Sequence, residues 1–277
     1  MAHPAVAVAE SALRARKLDR TLTSALPSLE RTDPGGCTAT DLAALDAALR
    51  GGLPRGQLSE VAGPRSSGRT TLLLQVIAAA TSRGEIAALV DTFDRLDVAS
   101  TVAAGIDLDR LLWIRGQAIS KTEATTDAYW VPGESPAGAP RAAHGLMERA
   151  IDRALKALNL VVQAGGFAIV ALDLADVPPV VLRRVPYTTW LRVQRTIEGS
   201  DTACVLLVPE PLARSAGGVT LALGGATAWT GVADRARRFA GLDVTARIVS
   251  PRRRVNGEVA FAASSIQTRY GVTEAQR

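Results

Sequence analysis

The stretch "GPRSSGRTT", residues 63–71, decides the fold of this chain. It has the pattern G-x-x-x-x-G-[KR]-[ST] and lies between a predicted strand, residues 58–62, and a predicted helix, residues 68–83. Glycines in such a loop let backbone N–H groups turn toward phosphate oxygens, and the dipole of the following helix adds positive potential. The pattern in this context predicts a nucleotide phosphate-binding loop; the alternative is a glycine turn without a ligand.

One residue of the loop departs from the usual pattern, in which a lysine contacts the phosphates. This chain has Arg69 instead. A guanidinium is planar, wide and rigid, whereas an ammonium is a compact charge on a flexible stem. We expect Arg69 either to swing outward or to fill the phosphate position itself, so that affinity for ATP falls and the γ-phosphate is poorly placed. Arg65 adds a second positive charge, which favours anion binding without catalysis.

The predicted site contains the whole loop and one distant carboxylate. Its nucleotide-binding residues are Gly63, Pro64, Arg65, Ser66, Ser67, Gly68, Arg69, Thr70, Thr71 and Asp173. If a nucleotide binds, Thr70 supplies a hydroxyl to Mg²⁺, and Asp173, at the end of a predicted buried strand, supplies a nearby carboxylate. The sequence makes no cofactor certain; weakly bound ATP with Mg²⁺ is the candidate, and no residue is predicted to be catalytic.

Strand-like and helix-like segments alternate along the chain, and the strand segments are apolar throughout. This pattern predicts an α/β fold with a largely parallel, twisted central sheet and helices on both faces. Residues 1–36 are predicted to form a detached N-terminal helix (5–26) and a linker. Residues 37–264 are predicted as the core domain, with a flexible loop at 116–141, and residues 265–277 as a tail. The N-terminal helix either folds back on the core or docks on a partner, which we favour.

Composition narrows the choice of environment and partner. The chain has 277 residues, a net charge of +5 and an isoelectric point near 9.7. This charge permits a polyanionic partner without requiring one, because arginines on a solvated surface account for it equally well. Aromatic residues are only 4% of the chain, so few platforms for stacking bases are expected. Two cysteines, no leader and no apolar run of about 18 residues predict a cytoplasmic protein.

Two stretches closely resemble the RecA recombinase family. "GGLPRGQLSEVAGPRSSGRTTLLLQVIAAATSRG", residues 51–84, is similar to that family's phosphate-loop segment, "GGLP-G-…-GPESSGKTTL-LQVIAAAQ". "LVDTFDRLDVASTVAAGIDLDRLLWIRG", residues 89–116, is similar to the segment that carries "DAEHALDP" and then "LGVDIDNLL". The resemblance extends more weakly to about residue 263. It implies the RecA-type ATPase core, with a largely parallel sheet between two layers of helices.

The same resemblance allows the catalytic positions to be compared. The glutamate that activates water in RecA aligns with Phe93, and the glutamine that senses the γ-phosphate aligns with Glu210. Two lysines that reach the nucleotide across the RecA subunit interface align with Ser250 and Arg252, whereas the strand-end aspartate is retained as Asp173. With the phosphate lysine also replaced, the resemblance implies a degenerate ATPase, because loss of a general base alone slows a reaction about 10²–10⁴-fold.

The DNA-binding loops of RecA also have counterparts. "LADVPPVVLRRVPYTTW", residues 174–190, replaces the first loop, and "RSAGGVTLAL", residues 214–223, resembles the second. Arginines here are suited to contact phosphates, although they are equally compatible with ordinary exposed loop positions. The candidate DNA contacts are Arg183, Arg184, Arg214, Gly217 and Gly218.

A short RecA relative with these changes resembles the ImuA proteins, also called SulA-like or RecA-like mutagenesis proteins. That resemblance implies a role in damage-induced translesion synthesis, with an ImuB-like pseudo-polymerase, RecA and an error-prone polymerase as partners. Self-association and single-stranded DNA remain further candidate partners. We therefore expect a pseudo-ATPase adaptor of the DNA damage (SOS) response.

Two other functions stay open at this stage. One is a weak DNA-dependent ATPase of the RecA class, in which Arg69 and a shifted acid such as Asp94 do the work. The other is a nucleic-acid-binding module whose basic loops hold single-stranded DNA without nucleotide. The second is compatible with the adaptor role.

Overall fold

The computed structural model describes residues 36–116, 141–213, 218–231, 237–250 and 255–264. The predicted N-terminal helix and linker, most of the predicted loop and the predicted tail lie outside the described residues. So do three residues of the predicted sites, namely Arg214, Gly217 and Arg252.

The described core is built around one eight-stranded sheet. Two short strands, β1 (Cys37–Thr38) and β2 (Leu53–Pro54), pair separately and antiparallel. The large sheet contains β3 (Gln57–Ala62), β4 (Ala87–Asp91), β5 (Leu111–Arg115), β6 (Ile169–Asp173), β7 (Ala203–Val208), β8 (Thr220–Thr230), β9 (Arg238–Ser250) and β10 (Val255–Ser264). Their spatial order is β10-β9-β8-β3-β7-β6-β4-β5. The six strands from β8 to β5 run parallel, and β9 and β10 add an antiparallel extension.

Helices connect the parallel strands. They are α1 (Ala43–Leu49), α2 (Arg69–Ser82), α3 (Val98–Ala103), α4 (Arg141–Ala164), α5 (Pro179–Leu182) and α6 (Tyr187–Ile197), with a 3₁₀ turn at Leu108–Arg110. The predicted helix at residues 68–83 is thus confirmed to within one residue at each end. The segment after β6, predicted as a proline-bound loop, contains the short helix α5, which Pro179 begins because its fixed φ suits the first helical turn.

Apolar side chains fill both faces of the sheet, as all-apolar parallel strands require. On one face Val61 of β3 packs with Leu72 and Ile77 of α2. On the other face Leu58 of β3 packs with Leu158 of α4 and with Trp190 of α6, and all of these side chains are buried. The predicted α/β class with a largely parallel sheet is confirmed. No helix within the described ranges is long and apolar enough to cross a membrane.

The sheet register determines where a site can form. Ala62, the last residue of β3, is opposite Val208 of β7, and Asp173 of β6 is opposite Leu207 of β7 and Asp91 of β4. The carboxyl ends of these four strands therefore meet at one edge. In open α/β sheets this edge is where ligands bind.

Candidate phosphate-binding site

The loop after β3 has the tight geometry that its glycines predict. Gly63 follows the strand, and its N–H donates to Val208 O at 3.2 Å. A Cβ at Gly63 would lie 2.6 Å from the backbone oxygen of Leu223, and a Cβ at Gly68 would lie 2.7 Å from Cγ2 of Val244. Gly68 also has φ of 87°, where residues with a side chain are strained. Both glycines are therefore required by the packing of β8 and β9 against the loop.

The loop leaves polar groups available at the start of α2. Thr70 and Thr71 are exposed in the first helical turn, where N–H groups have no partner within the helix. Ser67 is 1% exposed, and its Oγ has no hydrogen-bond partner. A buried hydroxyl without a partner is costly, so a ligand oxygen would suit this position. These features fit phosphate binding at a helix N-terminus.

Arg69, the cation of the loop, is held by contacts within the chain. Its side chain is 7% exposed, and Nη1 donates to Val208 O at 3.0 Å and to Ala175 O at 3.4 Å. Burial lowers the pKa of the guanidinium, while Asp173 and Asp176 act in the opposite direction. Of the two orientations expected from the sequence, the outward one is wrong. The guanidinium lies inside, between the carboxyl ends of β6 and β7.

Asp173 is the carboxylate predicted to accompany a bound metal, and the structure places it near Arg69. Burial raises the pKa of Asp173 to about 6, helped by the neighbouring carboxylates of Asp91 and Asp176. The backbone N–H of Ala175, which donates to its Oδ1 at 2.8 Å, and the charge of Arg69 oppose this rise. Asp173 and the exposed Thr70 hydroxyl are the oxygen groups that could serve Mg²⁺ beside a bound phosphate.

The position that aligns with the catalytic glutamate is part of the core. Phe93 is buried among apolar residues of the α4 face of the sheet, including Val90 and Met147. An aromatic ring accepts no proton from water, so this position supplies no general base. The ring instead stabilises the turn after β4 by filling space between the sheet and α4.

The two acids beside Phe93 are also occupied by contacts within the chain. Asp91 accepts hydrogen bonds from the backbone N–H groups of Arg95 at 2.9 Å and Leu96 at 2.8 Å. Asp94 accepts two bonds from Arg115, both at 2.8 Å, and this pairing lowers the pKa of Asp94. A lowered pKa makes Asp94 a weaker base. Neither acid is therefore arranged to act as a base in place of the glutamate that the RecA resemblance implies.

Comparison with known proteins finds a family model that matches the phosphate loop and its surroundings. The family model described as RecA N-terminal domain matches residues 30–125, which include β3, the loop and α2. Protein RecA of Synechocystis sp. is 47% identical over 74 residues, which are 27% of this chain and 21% of that protein. Protein RecA of Arthrospira platensis is 34% identical over 146 residues, which are 47% of this chain and 40% of that protein. The chain is RecA-like.

The similarity to these proteins is partial. This RecA-like chain spans between about a fifth and two fifths of the length of the RecA proteins that it matches. The family model ends at residue 125, before β6 to β10. The matched part contains the phosphate loop and Phe93, whereas Asp173, Glu210 and the candidate DNA contacts lie beyond it.

The candidate DNA contacts of the RecA-like chain are partly engaged elsewhere. Arg183 donates to both carboxylate oxygens of Glu210, at 2.9 and 3.1 Å, and Arg184 donates to Glu148 at 2.8 Å. Both arginines are exposed but have carboxylate partners, so a phosphate would compete with those ion pairs. Gly218 packs on β3, since a Cβ there would lie 2.4 Å from Leu58 O. Arg214 and Gly217 remain outside the described residues.

Sequence reasoning missed one buried residue of this site. Glu60 of β3 is fully buried and accepts hydrogen bonds from the backbone N–H groups of Leu212 and Ala213 and, at 3.0 Å, from Thr220 Oγ1. It therefore ties both sides of the stretch 214–217 to the strand that leads into the phosphate loop. The available signal was a lone carboxylate inside the apolar strand "LSEVA", which implies buried hydrogen-bond donors around it.

Proposed function

We propose that this RecA-like chain is a non-catalytic or nearly inactive adaptor in the DNA damage response and in translesion synthesis, as in ImuA proteins. It acts in the cytoplasm through protein partners and through DNA. The resemblance to ImuA proteins supplies the candidate partners, which are an ImuB-like pseudo-polymerase, RecA and an error-prone polymerase. The curated relatives are named Protein RecA, which supports a role near DNA recombination and repair.

The orientation of Arg69 carries the proposal. A cation that stabilises a transferring phosphoryl group must point at the phosphate oxygens when charge develops on them. The Arg69 guanidinium instead donates to two backbone carbonyls and lies near Asp173. To reach a γ-phosphate it would have to leave both carbonyls, and its planar fork does not reproduce the position of a lysine ammonium. Phosphate binding is thereby separated from catalysis.

The rest of the loop fits phosphate better than it fits hydrolysis. Ser67 Oγ and the first N–H groups of α2 would hold phosphate oxygens, and Thr70 with Asp173 would serve Mg²⁺. Bound Mg²⁺ would neutralise phosphate charge. The buried ring of Phe93 and the ion pair of Asp94 leave no described carboxylate arranged to activate water at the aligned position. The arrangement favours a protein that binds an anion and keeps it.

Hydrolysis and binding assays on the full chain test this proposal. We expect phosphate release from Mg²⁺–ATP to stay at background with and without single-stranded DNA. Arg69→Lys should tighten nucleotide binding about 10-fold, because an ammonium regains the phosphate contact. Arg65→Lys at the exposed end of the loop is the matched control and should change affinity little. Sustained turnover that Asp173→Ala abolishes would show instead a working ATPase.

A weak DNA-dependent ATPase is the second candidate. The observation that favours it is the retained set of Ser67, Thr70 and Asp173 around an intact glycine loop. In that case Asp94 would have to exchange Arg115 for water. The discriminating measurement is turnover in Asp94→Asn and Arg69→Ala: loss of DNA-stimulated activity in both would establish this candidate, and absence of activity in the parent chain would eliminate it.

A further inference from the structure

The antiparallel extension continues past the core as a ribbon, which we define as residues 224–230 of β8 and 238–245 of β9. Within the described residues β10 borders this ribbon only as far as Gly241, so that its end, Trp229–Thr230 with Arg238–Phe239, is two-stranded. Its register runs from Gly224 opposite Thr245 to Thr230 opposite Arg238. Leu221 and Leu223 of β8 are buried, whereas the residues from Gly224 to Thr230 are exposed or only partly buried. The ribbon therefore contributes little to the core. Isolated two-stranded ribbons are marginally stable, so its projection calls for a function.

Two of the chain's few aromatic side chains stand on this ribbon. Trp229 is 52% exposed and Phe239 is 44% exposed, and their ring centroids lie 5.8 Å apart at an interplanar angle of 77°. A shift in strand register occurs between Ala228 and Trp229, and Trp229 Nε1 donates to Thr227 Oγ1 at 3.0 Å. The edge-to-face pair and this bond orient both rings before any ligand binds.

The charge around these rings has one sign. At the end of the ribbon, the described residues 229–231 and 237–240 include two charged side chains, Arg237 and Arg238, and both are exposed. The next charged residue of the ribbon is Asp243, which lies opposite Ala226. Neither forms an ion pair with a carboxylate of the described chain. This differs from Arg65, Arg115, Arg183 and Arg184, each of which has a carboxylate partner.

We propose that the two-stranded end of this ribbon binds single-stranded nucleic acid. The bases stack on Trp229 and Phe239, and the phosphates are bound by Arg237 and Arg238. Aromatic faces next to cations are the combination with which proteins hold unpaired strands without reading sequence. The neighbouring ribbon residues, Gly224 to Ala228, are small and offer no large side chain that could anchor a protein partner, which makes a protein the poorer occupant. The surface is distinct from the candidate contacts Arg183, Arg184 and Arg214.

This inference deepens the proposed function by naming the surface that contacts DNA, but it does not depend on the state of the phosphate loop. Turnover of ATP would overturn the adaptor role and leave the ribbon untouched. Conversely, loss of nucleic-acid binding would remove the ribbon proposal without restoring catalysis. Phosphate release is therefore measured on the same preparations.

The test is equilibrium binding of the full chain to a fluorescent oligothymidylate of about 20 nucleotides, longer than the 4–16 that one single-strand-binding fold covers. Trp229→Ala and Phe239→Ala should each weaken binding about 5-fold or more. Arg237→Gln with Arg238→Gln should lower the slope of log K against log salt by about 1.4. Arg192→Gln with Arg195→Gln, exposed on α6, is the matched control and should bind as the parent does.

Further measurements distinguish the possible ligands and provide a second variant in case Trp229→Ala does not fold. Oligouridylate of the same length should bind comparably, and duplex DNA should bind more weakly because its bases are already stacked. If Trp229→Ala does not fold, Trp229→Phe retains a ring and should keep most of the affinity. Equal binding to duplex, binding lost only with Arg183→Gln and Arg184→Gln, or no binding to any strand would overturn the proposal. Variants of the two-stranded end that lose only the binding of a purified acidic protein would overturn it too.

Discussion

Arginine side chains are engaged by contacts within the chain at the phosphate loop, whereas on the ribbon they are exposed to solvent. At the carboxyl edge of the sheet, Arg69 is buried and donates to two backbone carbonyls, and Arg65 and Arg95 lie beside Asp176. On the ribbon, Arg237 and Arg238 are exposed beside Trp229 and Phe239. The loop resembles a binding site whose cations are satisfied by the chain itself, whereas the ribbon presents its cations and rings to solvent.

This difference indicates which of the two surfaces gains more affinity when a ligand binds. A ligand at the loop must displace contacts that the chain already makes, so only part of each new interaction appears as affinity. A ligand on the ribbon displaces water from groups that are already oriented. The part of the chain that the RecA N-terminal domain model matches is thus the one in which Arg69 is engaged by internal contacts, and the ribbon lies beyond that match.

The largest expected effect concerns Glu60, which holds β8 and the stretch before 214–217 on the phosphate-loop strand. Glu60→Ala leaves the buried N–H of Ala213, the partly buried N–H of Leu212 and the Thr220 hydroxyl without this acceptor, and it should lower the free energy of unfolding by about 3–5 kcal/mol. Glu258→Ala, exposed on β10, is the control and should stay within about 0.5 kcal/mol. Urea titration measures both, and equal effects would mean that Glu60 does not link the two regions.

The next effect is a dependence of stability on pH through Asp173. Its pKa is raised from 3.8 to about 6 in the folded chain, so the unfolded chain loses this proton first as pH rises. Stability should therefore fall between about pH 4 and 6. The difference in free energy of unfolding between Asp173→Asn and the parent should be more favourable to the variant above pH 6 than at pH 4, by up to about 3 kcal/mol. Thermal unfolding across this pH range measures it, with Asp243→Asn on β9 as the control for loss of one carboxylate. A constant difference at every pH contradicts the assignment.

Glycine substitutions separate the crowded loop from the open ribbon. Gly63→Ala places a methyl group against Leu223 O and Ser67 and should destabilise the fold by about 1–3 kcal/mol. At Gly224 a Cβ meets no atom within 4 Å, so Gly224→Ala should change stability by less than about 0.5 kcal/mol. Chemical denaturation of the two variants provides the comparison. Equal losses of stability would show that β8 is packed as tightly at Gly224 as it is where Leu223 contacts the phosphate loop.

The smallest effect is expected for the ion pair of Arg183 and Glu210. Both side chains are more than a third exposed, so a double-mutant cycle with Arg183→Gln and Glu210→Gln should give about 0.2–1 kcal/mol. The coupling should shrink at high salt because water and ions screen it. A coupling that is larger and insensitive to salt would mean that this pair locks the edge of the sheet, as the contacts of Arg69 do.

Several parts of the fold and the site were predictable because they depend on local patterns. The strand before the glycine loop and the helix after it follow from spacing along the chain, and both lie where the sequence predicts them. The resemblance to RecA also located Phe93 and Asp173. The sequence allows two orientations of Arg69, because the orientation depends on carbonyls of β7 and of the turn after β6, which are more than 100 residues away.

The sequence by itself determined the α/β class and the phosphate-loop pattern with Arg69 in the place of its lysine, because chain spacing and residue chemistry are local properties. That Phe93 stands where a catalytic glutamate is expected is what the resemblance to RecA implies. Only the tertiary structure decided that Arg69 turns inward, that Glu60 ties β8 to the loop strand, and that Trp229 and Phe239 meet in solvent. Those outcomes depend on which strands become neighbours. The order of strands in the sheet is a property of the whole folded chain, since it is chosen by the burial of all its apolar faces together.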